Sequence, residues 1–310
     1  KPVILETAGT VTQVSESVAA MGTKGVAPGN AKAGLRCGAC YHSSEGTVVV
    51  SFNDTNNSYY PSCAVATTSG TTVTLSTPLV LKSTACSYNV CAYDSTQDRV
   101  VFYYVMNAAT AYSYVIAASL SGTTFTVGTE QACFGGDDSG DGDISNLAPS
   151  KMIIVNGFAF SSDHGAVSSA QVVSISASVV TVGTDVDMNS VNTNRPRIAS
   201  GKVDEFLCQL GYGSAIQFVA GTVSGTTITA GVVTELTGGV STLNDVASGY
   251  WDGYTSPEST YMAAYHPPGG ATDSQVARLI TVSGTTLTLN ATTAIGEDGG
   301  NTPAMGWGNS

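Results

Sequence analysis

Charged side chains are scarce in this sequence of 310 residues. Asp, Glu, Lys and Arg together account for 11% of the chain, whereas an average soluble domain contains about 25%. Cations are the rarer group, since 11 Lys and Arg residues stand against 23 Asp and Glu residues and give a formal net charge of −12. An acidic surface repels phosphate groups, so we expect neither nucleic acid nor an anionic membrane surface as a partner.

Long hydrophobic runs are missing as well. No apolar stretch reaches about 18 residues, so we expect no insertion into a membrane. No window of about ten residues shows amphipathic helical periodicity with caps, which favours an all-β protein. The chain starts at Lys1 without a leader-like segment, and we therefore expect a processed protein or part of a longer one.

Sequence motifs for metal binding and catalysis are few. Cys37 and Cys40 form a C-x-x-C pair, but no second pair follows at the spacing of a zinc site. The 7 cysteines are therefore expected to be small core residues, with disulfides only in an oxidising compartment. No nucleophile elbow and no sialidase-type box occur, and the carboxylates of Asp204, Glu205 and Glu258 show no spacing that pairs them across a sugar. We therefore predict a protein that is not an enzyme, with a hydrolytic propeller as the minor alternative.

Ser, Thr and Gly take the place of the missing charges, and they recur in a short repeat. Its copies are SGTTVTLS from Ser69, SGTTFTVG from Ser121, SGTTITAG from Ser224 and SGTTLTLN from Ser283. Degenerate copies around residues 9 and 177 fill the gaps. A period of about 50 residues without a helical pattern is typical of β-propeller blades.

Each copy is predicted to be the outer hairpin of a four-stranded unit. In the second unit, a Ser-Gly turn connects a strand-like stretch at Tyr112–Leu120 to Thr123–Thr129, where Thr alternates with apolar residues. Two further strands precede this hairpin, at Val90–Tyr93 and Arg99–Val105. Four strands in about 50 residues make a propeller blade.

We predict an all-β fold, a single β-propeller domain of about six four-stranded blades. The five full units are residues 31–82, 83–134, 135–190, 191–240 and 241–299. The last blade is a composite of N- and C-terminal strands, because residues 1–30 contain two strand-like stretches and residues 300–310 contain one. Closing the ring in this way removes exposed sheet edges.

The second unit resembles a repeat of tail and virion-associated proteins of aquatic bacteriophages. The stretch YDSTQDRVV at 93–101 is followed by a tyrosine-bearing strand and then by SGTT at 121–124. The stretch AGTVSGT at 220–226 matches the same repeat closely. The resemblance covers all five full units, is strongest in the second, fourth and fifth, and implies a propeller displayed on a virion without catalytic residues.

The resemblance leads to a prediction of function. We predict a non-enzymatic virion module, a tail-fibre, receptor-binding or decoration protein on the surface of the particle. Its expected partners are other virion proteins and a host surface glycan or receptor, within an oligomer or larger assembly. The alternative, favoured by the cysteines and the acceptor sequons, is a secreted or cell-surface propeller of a microbe, either a lectin-like glycan-binding protein or a matrix glycoprotein. Both predictions place the protein outside the cell.

An acidic loop carries the candidate metal ligands. Alternate residues at Asp137, Ser139, Asp141 and Asp143 supply oxygen atoms at the spacing of a calcium loop, so Ca²⁺ is the one expected cofactor. Ala148 stands where an EF-hand has its bidentate Glu, and a Ca²⁺ site here would therefore differ from that motif.

Aromatic and asparagine side chains supply the other candidate sites. Aromatic side chains on rigid loops bind sugars or proteins at low entropic cost, and the alternative for them is a structural role at the ends of blades. The candidate ligand-binding residues are Tyr59, Tyr60, Tyr250, Trp251 and Tyr254. The candidate glycosylation sites, each in an N-x-S/T sequon, are Asn53, Asn56 and Asn290.

Overall fold

The computed structural model describes residues 36–69, 72–107, 112–134, 141–157, 168–189, 194–212, 215–236, 246–247, 259–265 and 274–297. Within these ranges the chain is almost entirely β-strand, with one 3-10 helix at Thr55–Asn57 and no α-helix. None of the described segments is a helix long and apolar enough to cross a membrane.

The strands fall into five consecutive units of four, each an antiparallel sheet in which neighbouring strands follow one another in sequence. Unit one contains β1 (Arg36–His42), β2 (Thr47–Asp54), β3 (Tyr60–Ser69) and β4 (Thr72–Leu75), with the short β5 (Leu79–Val80) paired to β3. Unit two contains β6 (Cys86–Asp94), β7 (Arg99–Met106), β8 (Ser113–Ser121) and β9 (Thr124–Val127), with β10 (Gln131–Cys133) paired to β8.

The remaining three units repeat this order. Unit three contains β11 (Gly142–Ala148), β12 (Lys151–Gly157), β13 (Ser168–Ser176) and β14 (Val179–Val182), with β15 (Val186–Asp187) paired to β13. Unit four contains β16 (Asn194–Ser200), β17 (Glu205–Tyr212), β18 (Ala215–Ser224) and β19 (Thr227–Ala230), with β20 (Thr234–Leu236) paired to β18. Unit five contains β21 (Val246–Ala247), β22 (Ser259–Tyr265), β23 (Ser274–Ser283) and β24 (Thr286–Glu297).

The first strands of successive units lie side by side. β1 pairs with β6 in parallel, β11 lies between β6 and β16, and β16 contacts β21. In a β-propeller, the first strands of the units meet around one axis and the other three strands of each unit extend outward. The contacts between β1, β6, β11, β16 and β21 follow this arrangement. The predicted all-β propeller is confirmed. The predicted composite blade, from residues 1–30 and 300–310, lies outside the described residues.

Packing between the units explains the long apolar runs of the second strands. Along β12, Met152 and Ile154 pack into the core shared with unit two, and Ile153 and Val155 pack into the core shared with unit four. A strand covered on both faces favours apolar side chains on both sides, so most of its sequence reads as an apolar run. These apolar runs are the reason that the second strands can be recognised in the sequence.

The repeated Ser-Gly turn has two structural functions. Gly122, Gly225 and Gly284 all adopt a left-handed backbone, with φ of 57°, 62° and 62°, which Gly accommodates without strain. The turn amides of Gly122 and Gly284 also donate hydrogen bonds to glutamate side chains of the preceding units, to Glu45 at 3.2 Å and to Glu205 at 2.9 Å. The repeat therefore closes the outer hairpin, and at Gly122 and Gly284 it also ties the turn to the preceding unit.

The degenerate copy at Ala177 keeps both functions without Gly. Ala177 has a φ of 52°, a conformation that is unfavourable for a residue with a Cβ atom. Its amide nitrogen still donates to the side chain of Gln97 in unit two, at 3.0 Å. Unit three thus contains a strained version of the turn.

Candidate functional site

We call the end of the propeller at which the first strands begin its upper face, and the opposite end its lower face. Because the strands alternate in direction, the second strands end and the third strands begin at the upper face. Buried amide side chains concentrate there, and they are Asn53, Asn89, Asn156, Gln171, Asn189 and Gln217. Buried polar groups of this kind need hydrogen-bond partners from the protein, from water or from a ligand.

Two carboxylates lie where the first strand of unit three begins. Asp141 directly precedes β11 and has only 9% of its side chain surface exposed. Asp143 is the second residue of β11, and its Oδ2 accepts a hydrogen bond from the amide of Ile198 in unit four at 3.2 Å. Its Oδ1 accepts from the amide of Ile144 at 2.9 Å. Two backbone donors therefore fix the orientation of the Asp143 carboxylate.

A buried cation lies on the neighbouring first strand. Arg197 in β16 is 1% exposed, and one of its guanidinium nitrogens donates to the carbonyl oxygen of Pro196. The next residue, Ile198, is the one that donates to Asp143. Burying a guanidinium costs several kcal/mol unless other groups compensate, so Arg197 is a fixed cation on the strand whose next residue holds Asp143.

The side of β11 that faces unit two contains an unsatisfied amide. Asn156, the cross-strand partner of Gly142, is completely buried, and neither its Oδ1 nor its Nδ2 has a hydrogen-bond partner. Gly142 itself is in close contact with Tyr103, since a Cβ atom at this position would lie 2.4 Å from the tyrosine ring. The glycine is required for unit three to approach unit two, and Asn156 is a buried polar group on this same side, opposite the side on which Asp143 contacts unit four.

A group of tyrosines lies further out on the upper face, between units one and two. Tyr112 is 41% exposed and Tyr59 is 38% exposed, and both lie in connections between second and third strands. Tyr114 lies 6.5 Å from Tyr112 between ring centroids. We call Tyr59, Tyr112 and Tyr114, together with the Lys82–Glu130 ion pair, the tyrosine ledge.

The ion pair of the ledge is held by aromatic side chains. The Lys82 ammonium lies 3.8 Å from the centroid of the Tyr114 ring and pairs with Glu130. The Tyr104 hydroxyl donates to the other carboxylate oxygen of Glu130 at 2.8 Å. Burial raises the pKa of Tyr104 well above its usual range, and the hydrogen bond to Glu130 raises it further. Tyr104 therefore remains a donor at every physiological pH.

The lower face contains a Ser-His-Asp group that does not form a catalytic triad. Ser44 Oγ lies 3.1 Å from His42 Nδ1, but it donates its proton to Asp98 at 2.5 Å. Tyr93 also donates to Asp98, at 2.8 Å, and both hydrogen bonds lower the pKa of Asp98. A hydroxyl that donates directly to a carboxylate is not positioned to lose its proton to the histidine, so the group is a structural link between units one and two.

The structure places the other candidate residues as follows. Tyr59 lies in the connection between β2 and β3 of unit one, and Tyr60 begins β3. Of the acidic loop, Asp141 and Asp143 are described, while Asp137 and Ser139 lie outside the described residues, as do Tyr250, Trp251 and Tyr254. No group of three or more potential metal-ligating side chains occurs in the described part of the chain. Binding of Ca²⁺ stays a prediction.

The candidate glycosylation sites differ in exposure. Asn53 is buried, and its amide donates to the carbonyl of Cys86 at 2.9 Å, so a glycan on Asn53 is incompatible with this packing. Asn56 and Asn290 are exposed. Only these two sequons could carry a glycan in the folded protein.

The cysteines are core residues. Six of them are described with their side chains, each as a free thiol, and they are Cys40, Cys63, Cys86, Cys91, Cys133 and Cys208. Burial raises the pKa of Cys63, Cys86 and Cys133 well above the usual thiol value. These thiols are protonated and chemically inert at neutral pH.

Comparison with known proteins gives a likeness in fold. No family model and no curated protein matches the chain. The α-L-arabinanase of Penicillium chrysogenum, solved with arabinobiose, matches with a TM-score of 0.52 at 11% identity, over 80% of this chain and 77% of that chain. An α-L-arabinofuranosidase variant of Fusarium graminearum, bound to an iminosugar inhibitor, matches with a TM-score of 0.49 at 12% identity, over 80% and 76%. At such identities the likeness is one of fold.

The arabinanase match contradicts the prediction of a non-enzymatic virion or adhesion module, and with it the non-enzymatic lectin-like or matrix alternative. The prediction was wrong because it took missing sequence motifs as missing catalysis. A catalytic site is defined by the geometry of its residues in the fold, so it requires no recognisable sequence motif. The resemblance to phage-tail repeats, the location outside the cell and the oligomeric assembly stay predictions from the sequence.

Proposed function

We propose that this chain is a glycoside hydrolase that cleaves an arabinan-like polysaccharide at the upper face of the propeller. The observation that carries the proposal is the pair of carboxylates, Asp141 and Asp143, at the start of an innermost strand. The fold likeness to an arabinanase solved with arabinobiose supports the choice of substrate class.

Glycoside hydrolysis uses two carboxyl groups, one as an acid for the leaving oxygen and one acting on the opposite side of the sugar. We assign the acid to Asp141, which is 9% exposed, and the base to Asp143, whose carboxylate is oriented by two backbone amides. Different surroundings are what give two carboxyl groups different roles in one site.

The proposed reaction is a single displacement by water. The glycosidic C–O bond breaks, and the leaving oxygen takes the proton of Asp141. The oxygen of a water molecule bonds to the anomeric carbon while Asp143 takes a proton from that water. In an extended chain, residues two apart have Cα atoms roughly 6.6 Å apart, and a single displacement needs roughly 6.5–9.5 Å between the two carboxyl groups to leave room for the water. The product is therefore expected with inverted anomeric configuration.

The test measures release of reducing ends from arabinan, with the anomer of the first product identified by NMR. Wild type is expected to hydrolyse arabinan, and Asp141→Asn and Asp143→Asn are expected to lose about 10²- to 10⁴-fold in kcat. The matched control is Asp187→Asn, since Asp187 lies in β15 beside the third strand and accepts from Ser169 at 2.8 Å. Full activity of Asp141→Asn, or no hydrolysis by wild type, would contradict the proposal.

A further inference from the structure

The tyrosine ledge combines exposed aromatic surface with fixed polar groups. Tyr112 exposes 41% of its surface. Tyr104, in contrast, is fully buried beneath the ledge. Exposed aromatic rings on rigid connections offer apolar area at low entropic cost. The Lys82–Glu130 pair beside them offers charged donors and acceptors whose positions are fixed by Tyr104 and Tyr114.

Backbone contacts connect the two exposed tyrosines of the ledge, Tyr59 and Tyr112, across the upper face. The carbonyl of Tyr59 accepts from the amide of Cys86 at 2.9 Å, Cys86 pairs with Met106, and the amide of Met106 donates to Tyr112 at 2.9 Å. Neighbouring hydrogen-bonded chains are about 4.8 Å apart, so three such steps separate Tyr59 from Tyr112 by about 14 Å. This span fits a short oligosaccharide rather than a single sugar.

The ledge also leads toward the carboxylates. Cys86, in the middle of the line, is the first residue of the innermost strand β6. β6 lies beside β11, the strand at whose start Asp141 and Asp143 are found. A sugar chain bound on the ledge therefore passes the start of β6, the innermost strand next to the one that begins at the two carboxylates.

We infer that the tyrosine ledge is a binding subsite for a polysaccharide chain, with sugar faces stacked on Tyr112 and Tyr59 and sugar hydroxyls bonded to Lys82 and Glu130. This inference rests on the proposed function for its substrate class. Aromatic stacking and hydroxyl bonding to a fixed ion pair are the two interactions that a neutral, hydroxyl-rich ligand requires. A phosphorylated or strongly anionic ligand is not expected, because Glu130 faces the same position and the chain carries a net charge of −12.

The first experiment is affinity gel electrophoresis, in which retardation of the protein by soluble arabinan, β-1,3-galactan or xylan in the gel measures binding. Asp141→Asn is used as the background, so that binding is measured without turnover. Replacing Tyr112 by Ala is expected to weaken binding about five- to tenfold, as loss of one aromatic contact of about 1–1.4 kcal/mol predicts. Tyr112→Phe is expected to retain binding, since it keeps the ring. Tyr41→Ala is the matched control, because Tyr41 is 60% exposed but lies near the end of β1, at the lower face.

The second experiment separates the ledge from the proposed catalytic site. With an otherwise wild-type chain, Tyr112→Ala and Tyr59→Ala are expected to raise KM for arabinan while kcat, and activity on the small p-nitrophenyl arabinofuranoside, stay unchanged. Unchanged KM in an active enzyme, or binding that Tyr41→Ala weakens equally, would overturn the ledge and leave the proposed function standing. Gel binding that Tyr112→Ala abolishes in a protein without hydrolytic activity would support the ledge and contradict the proposed function. Binding to none of the three polysaccharides would overturn the ledge.

Discussion

The turn at Ala177 allows the role of the repeat to be tested by one stabilising substitution. Ala177 adopts a φ of 52° in a position where other copies of the repeat have Gly at 57° or 62°. Replacing Ala177 by Gly is expected to relieve the strain while keeping the amide that donates to Gln97 at 3.0 Å.

The expected gain in the free energy of unfolding is the difference between two opposing contributions. A left-handed backbone costs a residue with a Cβ atom roughly 1–2 kcal/mol. The greater freedom of Gly in the unfolded chain offsets roughly 0.4–1 kcal/mol of that gain. Ala177→Gly should therefore stabilise the protein by about 0.5–1 kcal/mol, which for a chain of this size corresponds to a rise in Tm of about 1–3 °C.

The reverse substitution is the matched control. A Cβ atom at Gly225 would meet nothing within 4 Å, so Gly225→Ala tests the backbone alone, without a steric clash. Gly225→Ala should lower the free energy of unfolding by about 0.5–1 kcal/mol, the amount that Ala177→Gly is expected to gain. Thermal unfolding followed by circular dichroism measures both variants, and a lower Tm for Ala177→Gly or an unchanged Tm for Gly225→Ala would refute the reasoning.

Three further predictions concern the contacts between units and the buried thiols. Glu205→Ala removes the carboxylate that accepts from Gly284 at 2.9 Å and should lower the free energy of unfolding by about 1.5–3 kcal/mol in urea titrations; no change would show that the bond between units four and five contributes nothing. Because the folded-state pKa of Asp98 is lowered, its contribution is present above the usual aspartate pKa of about 3.9 and is lost as the pH falls further. The difference in stability between wild type and Asp98→Asn should therefore vanish in acid, and a difference that grows in acid would have the wrong sign. Since burial raises the pKa of Cys63 and Cys86, iodoacetamide at pH near 8 should label them only after unfolding, and rapid labelling of the native protein would contradict their burial.

The fold could be predicted because each of its signals is local. The apolar run of β7 is buried on alternate sides, with Val101 and Tyr103 toward unit three and Phe102 and Tyr104 toward unit one. A strand covered on both faces is mostly apolar, and the Ser-Gly turn marks where the outer hairpin reverses. The four strands predicted for unit two agree with β6 to β9 within a few residues at each end.

The candidate site could not be predicted because its members are distant in sequence. Lys82 and Glu130 are brought together by the pairing of β5 with β3 and of β10 with β8. Nothing in the local sequence of Arg197 indicates that it is buried on an innermost strand. Asp141 and Asp143 were visible, but the alternation that places two carboxylates on one side of a strand is also the alternation of a calcium loop. Only their position at the start of β11 favours catalysis.

Asp204 and Glu205 are not assigned as catalytic residues, because both carboxylates make contacts between neighbouring units. Asp204 pairs with Lys151, and Glu205 accepts from the turn at Gly284. Both contacts tie neighbouring units together at the lower face, which is the face opposite Asp141. Their carboxylates are therefore occupied by structural contacts.

The most direct test of the central claim is a crystal structure of Asp141→Asn soaked with arabinobiose. We predict a bound disaccharide at the upper face, with its glycosidic oxygen beside residue 141 and its anomeric carbon within reach of a water held by Asp143. Arabinobiose bound on the lower face, or no sugar bound while wild type hydrolyses arabinan in solution, would contradict the assignment of the site.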